Sequence, residues 1–257
     1  MFTERERKEE ELTTSMSTRS AGTSPLVYAR LAGLLVLVLV VISPFSLIYI
    51  PSTLIVPGDA TTTANNVMAS DGLFRLGIIS DAAIFLIEIV VTALLYVLLR
   101  PVSRTLSLAA AFARLAMAVI QGINLLPYFI ALLLLSGAGY LTVFEPDQLN
   151  ALVLLSLNAH ENAVYIWQAF FGLSLFVLGY LIFESGYFPR ILGVLMVVGA
   201  LGYLIDSFGN ILFPSYGEIF GLVVAVTAII GELPFFVWLL VKGVNVQKWH
   251  ERASSSS

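Results

Sequence analysis

The sequence predicts an all-α fold: a polytopic transmembrane helical bundle of about six spans with both termini cytoplasmic. Three observations carry that prediction. Of 257 residues, 58% are hydrophobic and only 12% charged, far from the composition of a soluble domain. Several apolar runs reach about 20 residues, the length a helix needs to cross a hydrocarbon core of roughly 30 Å. Lys and Arg gather at alternate ends of those runs. Backbone polar groups in lipid must be satisfied within their own segment, so the runs must be helices.

Taken in order, residues 1–24 hold Glu4 to Glu11 and then Ser/Thr-rich sequence. They offer too little apolar surface to fold alone and read as a disordered cytoplasmic tail. The apolar run after them is too long for a cleavable signal. Residues 25–245 form the transmembrane domain, and 246–257 read as a second cytoplasmic tail. The spans are predicted at Val27 to Ile50, Leu73 to Leu99, Leu106 to Leu135, His160 to Phe183, Ile191 to Phe208 and Ile219 to Val241. Pro127 and Pro234 mark kinks in the third and the sixth.

Orientation follows from charge. Loops one, three and five carry Asp59, Asp71, Glu145, Asp147 and Glu218, while Arg100, Arg104, Arg190, Arg30, Lys242, Lys248 and Arg252 flank the opposite ends. Positive charge near span ends stays cytoplasmic. In loop one, Pro57-Gly58-Asp59 signals a turn, with Asp59 or a following Thr capping a short helix through Val67 and Met68. Glu145-Pro146-Asp147 starts either an interfacial helix or an extension of span four. Tyr187, Trp238 and Trp249 suit the cytoplasmic interface. No internal repeat of the transporter kind is visible.

Several segments resemble one family: Tyr28 to Gly33, Ile55 to Ala60 with Thr63 to Asn66, Leu99 to Val102, Gly179 to Ile182, Ser185 to Gly193, Gly202 to Ser207 and Gly231 to Leu233. Together they are similar to an uncharacterised bacterial membrane family, the domain of unknown function numbered 4386, over roughly Tyr28 to Asn245. The resemblance implies six or seven spans in a bacterial cell membrane. It implies no activity.

Polar groups inside spans are costly and mark sites by default. Asp81 and Glu88 are seven apart on span two, and Arg114 and Gln121 seven apart on span three, so each pair shares a helix face. Span four aligns Glu161, Gln168, Gly172 and Gly179, with His160, Trp167, Phe171 and Ser174 beside them. Span five offers Asp206 and Asn210, and span six Glu232. Counted from the cytoplasmic ends, Glu88, Arg114 and Glu232 share a level, which predicts a buried charge network pairing Arg114 with one or both carboxylates. Two carboxylates against one guanidinium leave a spare negative charge unless one binds a proton. An outer layer of Asp81, Gln121, His160, Glu161, Gln168, Asp206 and Asn210 is the candidate ligand cavity, opening toward loops one, three and five. The bland alternatives are a register-fixing ion pair, an interfacial histidine and glycines that serve close helix packing.

No cysteine is present, which excludes disulfides, thiolate metal sites and cysteine nucleophiles. No phosphate loop, metalloprotease helix or nucleophile elbow occurs, so no cofactor is implied. No basic patch of the nucleic-acid-binding kind occurs either. Three functions stay open. The favoured one is binding or transport of a lipid or small apolar molecule, with a proton link and membrane lipid as the partner. The second is an intramembrane hydrolase with a metal on Asp81, His160 and Asp206. The third is a structural or regulatory membrane partner.

Overall fold

A computed structural model describes residues 24–255. The tail expected at residues 1–24 lies outside the described residues except for Ser24, whose hydroxyl accepts from the Leu26 N–H at the start of the first helix. We number the main helices α1 (Pro25–Leu54), α2 (Ala60–Ala69), α3 (Asp71–Leu99), α4 (Arg104–Leu134), α5 (Pro146–Glu184), α6 (Arg190–Leu212), α7 (Gly217–Val241) and α8 (Val246–Ser255). No strand occurs among the described residues. Six helices are long and apolar enough to cross a membrane: α1, α3, α4, α5, α6, and α7 with the short turn before it. Their outward faces carry exposed Leu, Ile, Val and Phe, as lipid-facing helices do.

Helix irregularities follow from proline. Pro44 lies inside α1 and is followed by a π-helical stretch, Phe45–Tyr49, a feature the sequence reading does not anticipate. In α4 the chain breaks regular helix between Ile123 and Leu126, just before Pro127. Pro127 has no N–H to donate, so the turn before it cannot close normally. Pro234 sits within a continuous α7.

The outer loops are ordered as their chemistry requires. Asp59 caps α2, accepting from the Thr62 N–H at 2.9 Å and the Thr62 hydroxyl at 2.7 Å. Those bonds favour the ionised cap and hold the Asp59 carboxyl below its ordinary value. The cap's contribution is therefore complete at neutral pH and is lost as pH falls through that lowered value. Glu145 and Gln148 form a capping box at the start of α5. The residues after Pro146 extend span four into one helix of 39 residues.

Close packing of α5, α6 and α7 depends on glycine. A Cβ on Gly179 would lie 2.8 Å from the Gly193 carbonyl oxygen, and one on Gly172 would lie 3.1 Å from that of Ala200. Gly199 and Gly231 similarly bring α6 and α7 together. Missing side chains let the backbones approach, which is how helices associate in lipid, where burial of apolar surface offers no drive.

The C-terminal segment is helical. Val246–Ser255 forms α8, and the Trp249 indole N–H donates to the Leu98 carbonyl at 2.9 Å, tying α8 to the end of α3. A lone Asn245-Val246-Gln247 after an apolar span carries no strong helix signal, so composition alone reads as tail.

Packing at the glycine seam makes a checkable claim. Gly193→Val should destabilise the bundle by about 1–3 kcal/mol, as overpacking does. Gly221→Ala, whose Cβ meets nothing within 4 Å, should leave the thermal melt in the same detergent unchanged.

Candidate functional site

The site begins at the break in α4. The N–H of Tyr128 turns to the Leu125 carbonyl at 3.1 Å, so it does not close the usual bond to Asn124. The Asn124 carbonyl instead meets Nδ1 of His160 at 2.6 Å, across on α5. Asn124 Nδ2 returns a bond to the His160 carbonyl at 3.0 Å. A carbonyl oxygen only accepts, so Nδ1 carries the imidazole proton. Nε2 of the neutral ring is then an acceptor.

That acceptor faces another. His160 Nε2 lies 3.7 Å from Asp81 Oδ2, and Oδ2 has no hydrogen-bond partner. The second oxygen, Oδ1, accepts from the Ser46 hydroxyl, which the π-helical stretch after Pro44 turns toward α3. Tyr128 stacks on the His160 ring, centroids 3.7 Å apart, and Phe74 meets Tyr128 edge-on at 5.2 Å. The ring is clamped on one face and directed by a fixed hydrogen bond. Asp81 has no accessible surface and His160 only 4%.

A second polar layer lies deeper along the chain's inward direction. Arg114 Nε donates to Glu88 Oε2 at 2.7 Å, with both groups buried. The guanidinium also sits 4.8 Å from the centroid of Phe171. Phe171 packs edge-on against Tyr203 at 4.9 Å, and the Tyr203 hydroxyl donates to Glu232 at 2.9 Å. Glu88 is therefore the carboxylate that takes the guanidinium, and Glu232 is held by Tyr203 while remaining within electrostatic reach of Arg114. Arg114 Nη1 lacks a partner.

The remaining candidates fall into separate places. Asp206 accepts from Asn210 at 2.9 Å and lies within hydrogen-bond reach of Gln168. Gln121 is buried one turn from Asn124, with Oε1 unpartnered. Glu161 is exposed. His160 and Gln168 are eight residues apart on α5, about 12 Å of helix rise, so Asp81 and Asp206 occupy different polar clusters. The triad Asp81, His160 and Asp206 is accordingly not assembled as a metal site. Among the described residues no group of three His, Asp or Glu is placed to hold one.

The residues expected to line an outward-opening cavity differ in exposure. Asp81, Gln121, Gln168 and Asp206 are between 0% and 7% exposed, whereas Asn210 is half-buried and Glu161 exposed. An open cavity of about 390 Å³ lies at the opposite end of the bundle, between the α5–α6 turn and the end of α7.

Sequence spacing missed three contributors. Ser46 is hidden by the change of helical phase after Pro44. The Asn124 carbonyl is a backbone group, signalled only by Pro127 three residues on. Tyr203 carries no charge and so stands outside a search for charged groups within the spans.

The ion pair makes a direct prediction. Arg114→Gln or Glu88→Gln alone leaves a buried charge uncompensated and should cost about 3–5 kcal/mol, whereas the double variant Glu88→Gln/Arg114→Met should lose less than either. Thermal unfolding of the three variants in one detergent checks the sign.

Residues 31–243 match the family described as Domain of unknown function (DUF4386). A protein of Archaeoglobus fulgidus described as uncharacterized is 29% identical over 161 residues, which cover 62% of this chain and 79% of that relative. No solved structure matches the chain significantly. With six helices suited to spanning a membrane and a family match over most of its length, the chain is a multi-pass membrane protein and belongs to the DUF4386 family.

Proposed function

We propose that this is a proton-linked membrane protein that binds or transports a lipid or another small apolar molecule. One observation carries the reading: the unpartnered Asp81 Oδ2 facing His160 Nε2 at 3.7 Å. Two lone pairs confront each other in a dry interior, which is unfavourable without a proton between them. One proton satisfies both, as O–H···N or as N–H···O, and draws α3 toward α5. Its loss restores the mutual repulsion and loosens the same contact. Ser46 carries any shift of Asp81 to α1.

The groups facing the pair are few. Ser46 comes from α1, Asn124 and Tyr128 from α4, and Glu161, which is exposed, follows His160 on α5. Only Tyr128 and Glu161 among them are titratable. No lysine or arginine is paired with Asp81, so a proton is the natural counter-charge.

An apolar cargo suits the surroundings. The buried apolar residues fall into two clusters, an outer one containing Phe74, Ile78, Leu125 and Leu157 and an inner one containing Val91, Met117, Phe171 and Met196. Asp81, His160 and Gln121 lie at the boundary between them. An apolar molecule entering there would meet apolar side chains on either side.

Two measurements test this. In titrations of the solubilised protein, Asp81→Asn and His160→Gln should each remove the same one-proton step, and the double variant no more than either, because coupled groups titrate as a unit. Separate, additive steps would contradict it. Native mass spectrometry at acid and alkaline pH should show an apolar adduct whose retention depends on pH in the wild type and not in Asp81→Asn. Equal retention at both pH values in the wild type removes the link between proton and cargo.

A further inference from the structure

We infer that the open cavity at the inner end of the bundle is a binding site for the phosphate group of an anionic lipid. It is independent of the proton-linked reading and uses none of the same residues.

The cavity is built by two glycine turns. Gly186, at φ +73, lets the chain reverse after α5, and Gly243, at φ +68, ends α7. The Lys242 and Gly243 N–H groups both return to the Trp238 carbonyl, at 2.8 Å each. The chain then leaves α7 sharply, Asn245 caps α8 by accepting from the Lys248 N–H at 3.1 Å, and a space of about 390 Å³ remains between the turns. Its walls include Tyr187, Trp238, Lys242, Asn245 and Lys248.

Charge selects the ligand. No Asp or Glu lines the cavity. Lys242 and Lys248 are exposed, and neither has an ion-pair partner among the described residues. The start of α8 adds the positive end of its dipole at the same wall. Two mobile ammonium groups with a neutral amide and backbone N–H groups suit a phosphate monoanion or diester, which needs no bidentate fork.

Position selects a lipid over a free anion. Trp238, half-buried at this wall, belongs to the class of side chains that settle at headgroup level, while Tyr187 is buried and donates its hydroxyl to the Leu98 carbonyl at 2.7 Å. On α7, Val237 and Val241 are 42% and 62% exposed beside the cavity, an apolar track for an acyl chain leaving a headgroup held by the lysines. Basic pockets between helix ends on the cytoplasmic side recognise anionic headgroups by this combination.

The test uses the whole protein in neutral detergent, mixed with equal amounts of short-chain phosphatidylglycerol and phosphatidylcholine and read by native mass spectrometry. Wild type should retain phosphatidylglycerol preferentially. The Lys242→Gln/Lys248→Gln variant should lose that preference, by about five-fold for each lysine. Lys242→Arg/Lys248→Arg should keep it, and so should Arg75→Gln at the opposite end. Inorganic phosphate in excess should not displace the lipid. Three results overturn the inference: equal retention of the two lipids by wild type, a preference that survives the double Gln variant, or full displacement by inorganic phosphate.

Discussion

In a bilayer interior a backbone carbonyl released from its helix must find another donor, and the arrangement of His160 and Asp81 depends on one such carbonyl. Pro127 cannot donate, the turn before it opens, and the Asn124 oxygen takes the Nδ1 proton of His160. That bond fixes the ring's tautomer and aims Nε2 at Asp81. The stack with Tyr128 and the hydroxyl of Ser46 hold the two partners in place. A proline in one helix thus decides the protonation chemistry of a histidine in another.

The second polar layer works differently. Arg114 and Glu88 neutralise each other across α3 and α4, while Phe171 and Tyr203 carry contact on to Glu232 across α5, α6 and α7. This chain of groups constrains how five helices are rotated relative to one another, because each member has few partners to choose from in a dry core. The glycines of α5, α6 and α7 set how close those helices come. This layer is held by an ion pair and a tyrosine–carboxylate bond, with Arg114 Nη1 left unpartnered. The other sets Asp81 Oδ2, without a hydrogen-bond partner, 3.7 Å from His160 Nε2, and the proposed proton link rests on that contact.

Much of this was legible in the sequence, for physical reasons. Long apolar runs admit only helices in lipid, so the spans follow from composition. A seven-residue spacing puts Asp81 with Glu88 and Arg114 with Gln121 on shared faces, whatever the neighbours do. Asp59 before three threonines is a cap signal that local bonding satisfies. The misses have physical reasons as well. Ser46 reaches Asp81 only because the π-helical stretch after Pro44 shifts the phase of the helix, which periodicity cannot follow. The closed packing around Asp81 and Asp206 depends on which side chains fill the space between helices, and depth counting says nothing about that. Val246–Ser255 becomes helix through Trp249 and its bond to Leu98, a tertiary contact.

The central claim is that His160 keeps its Nδ1 proton for Asn124 and shares a proton at Nε2 with Asp81. The chain has only two histidines, so the imidazole nitrogens of His160 can be followed by nitrogen-15 resonance in protein labelled at histidine, with His160→Gln assigning the signal. Across a pH titration Nδ1 should stay protonated while Nε2 alone changes state, and Asp81→Asn should move the midpoint of that change. A His160 ring with its neutral-state proton on Nε2, or a midpoint indifferent to Asp81→Asn, would contradict the account.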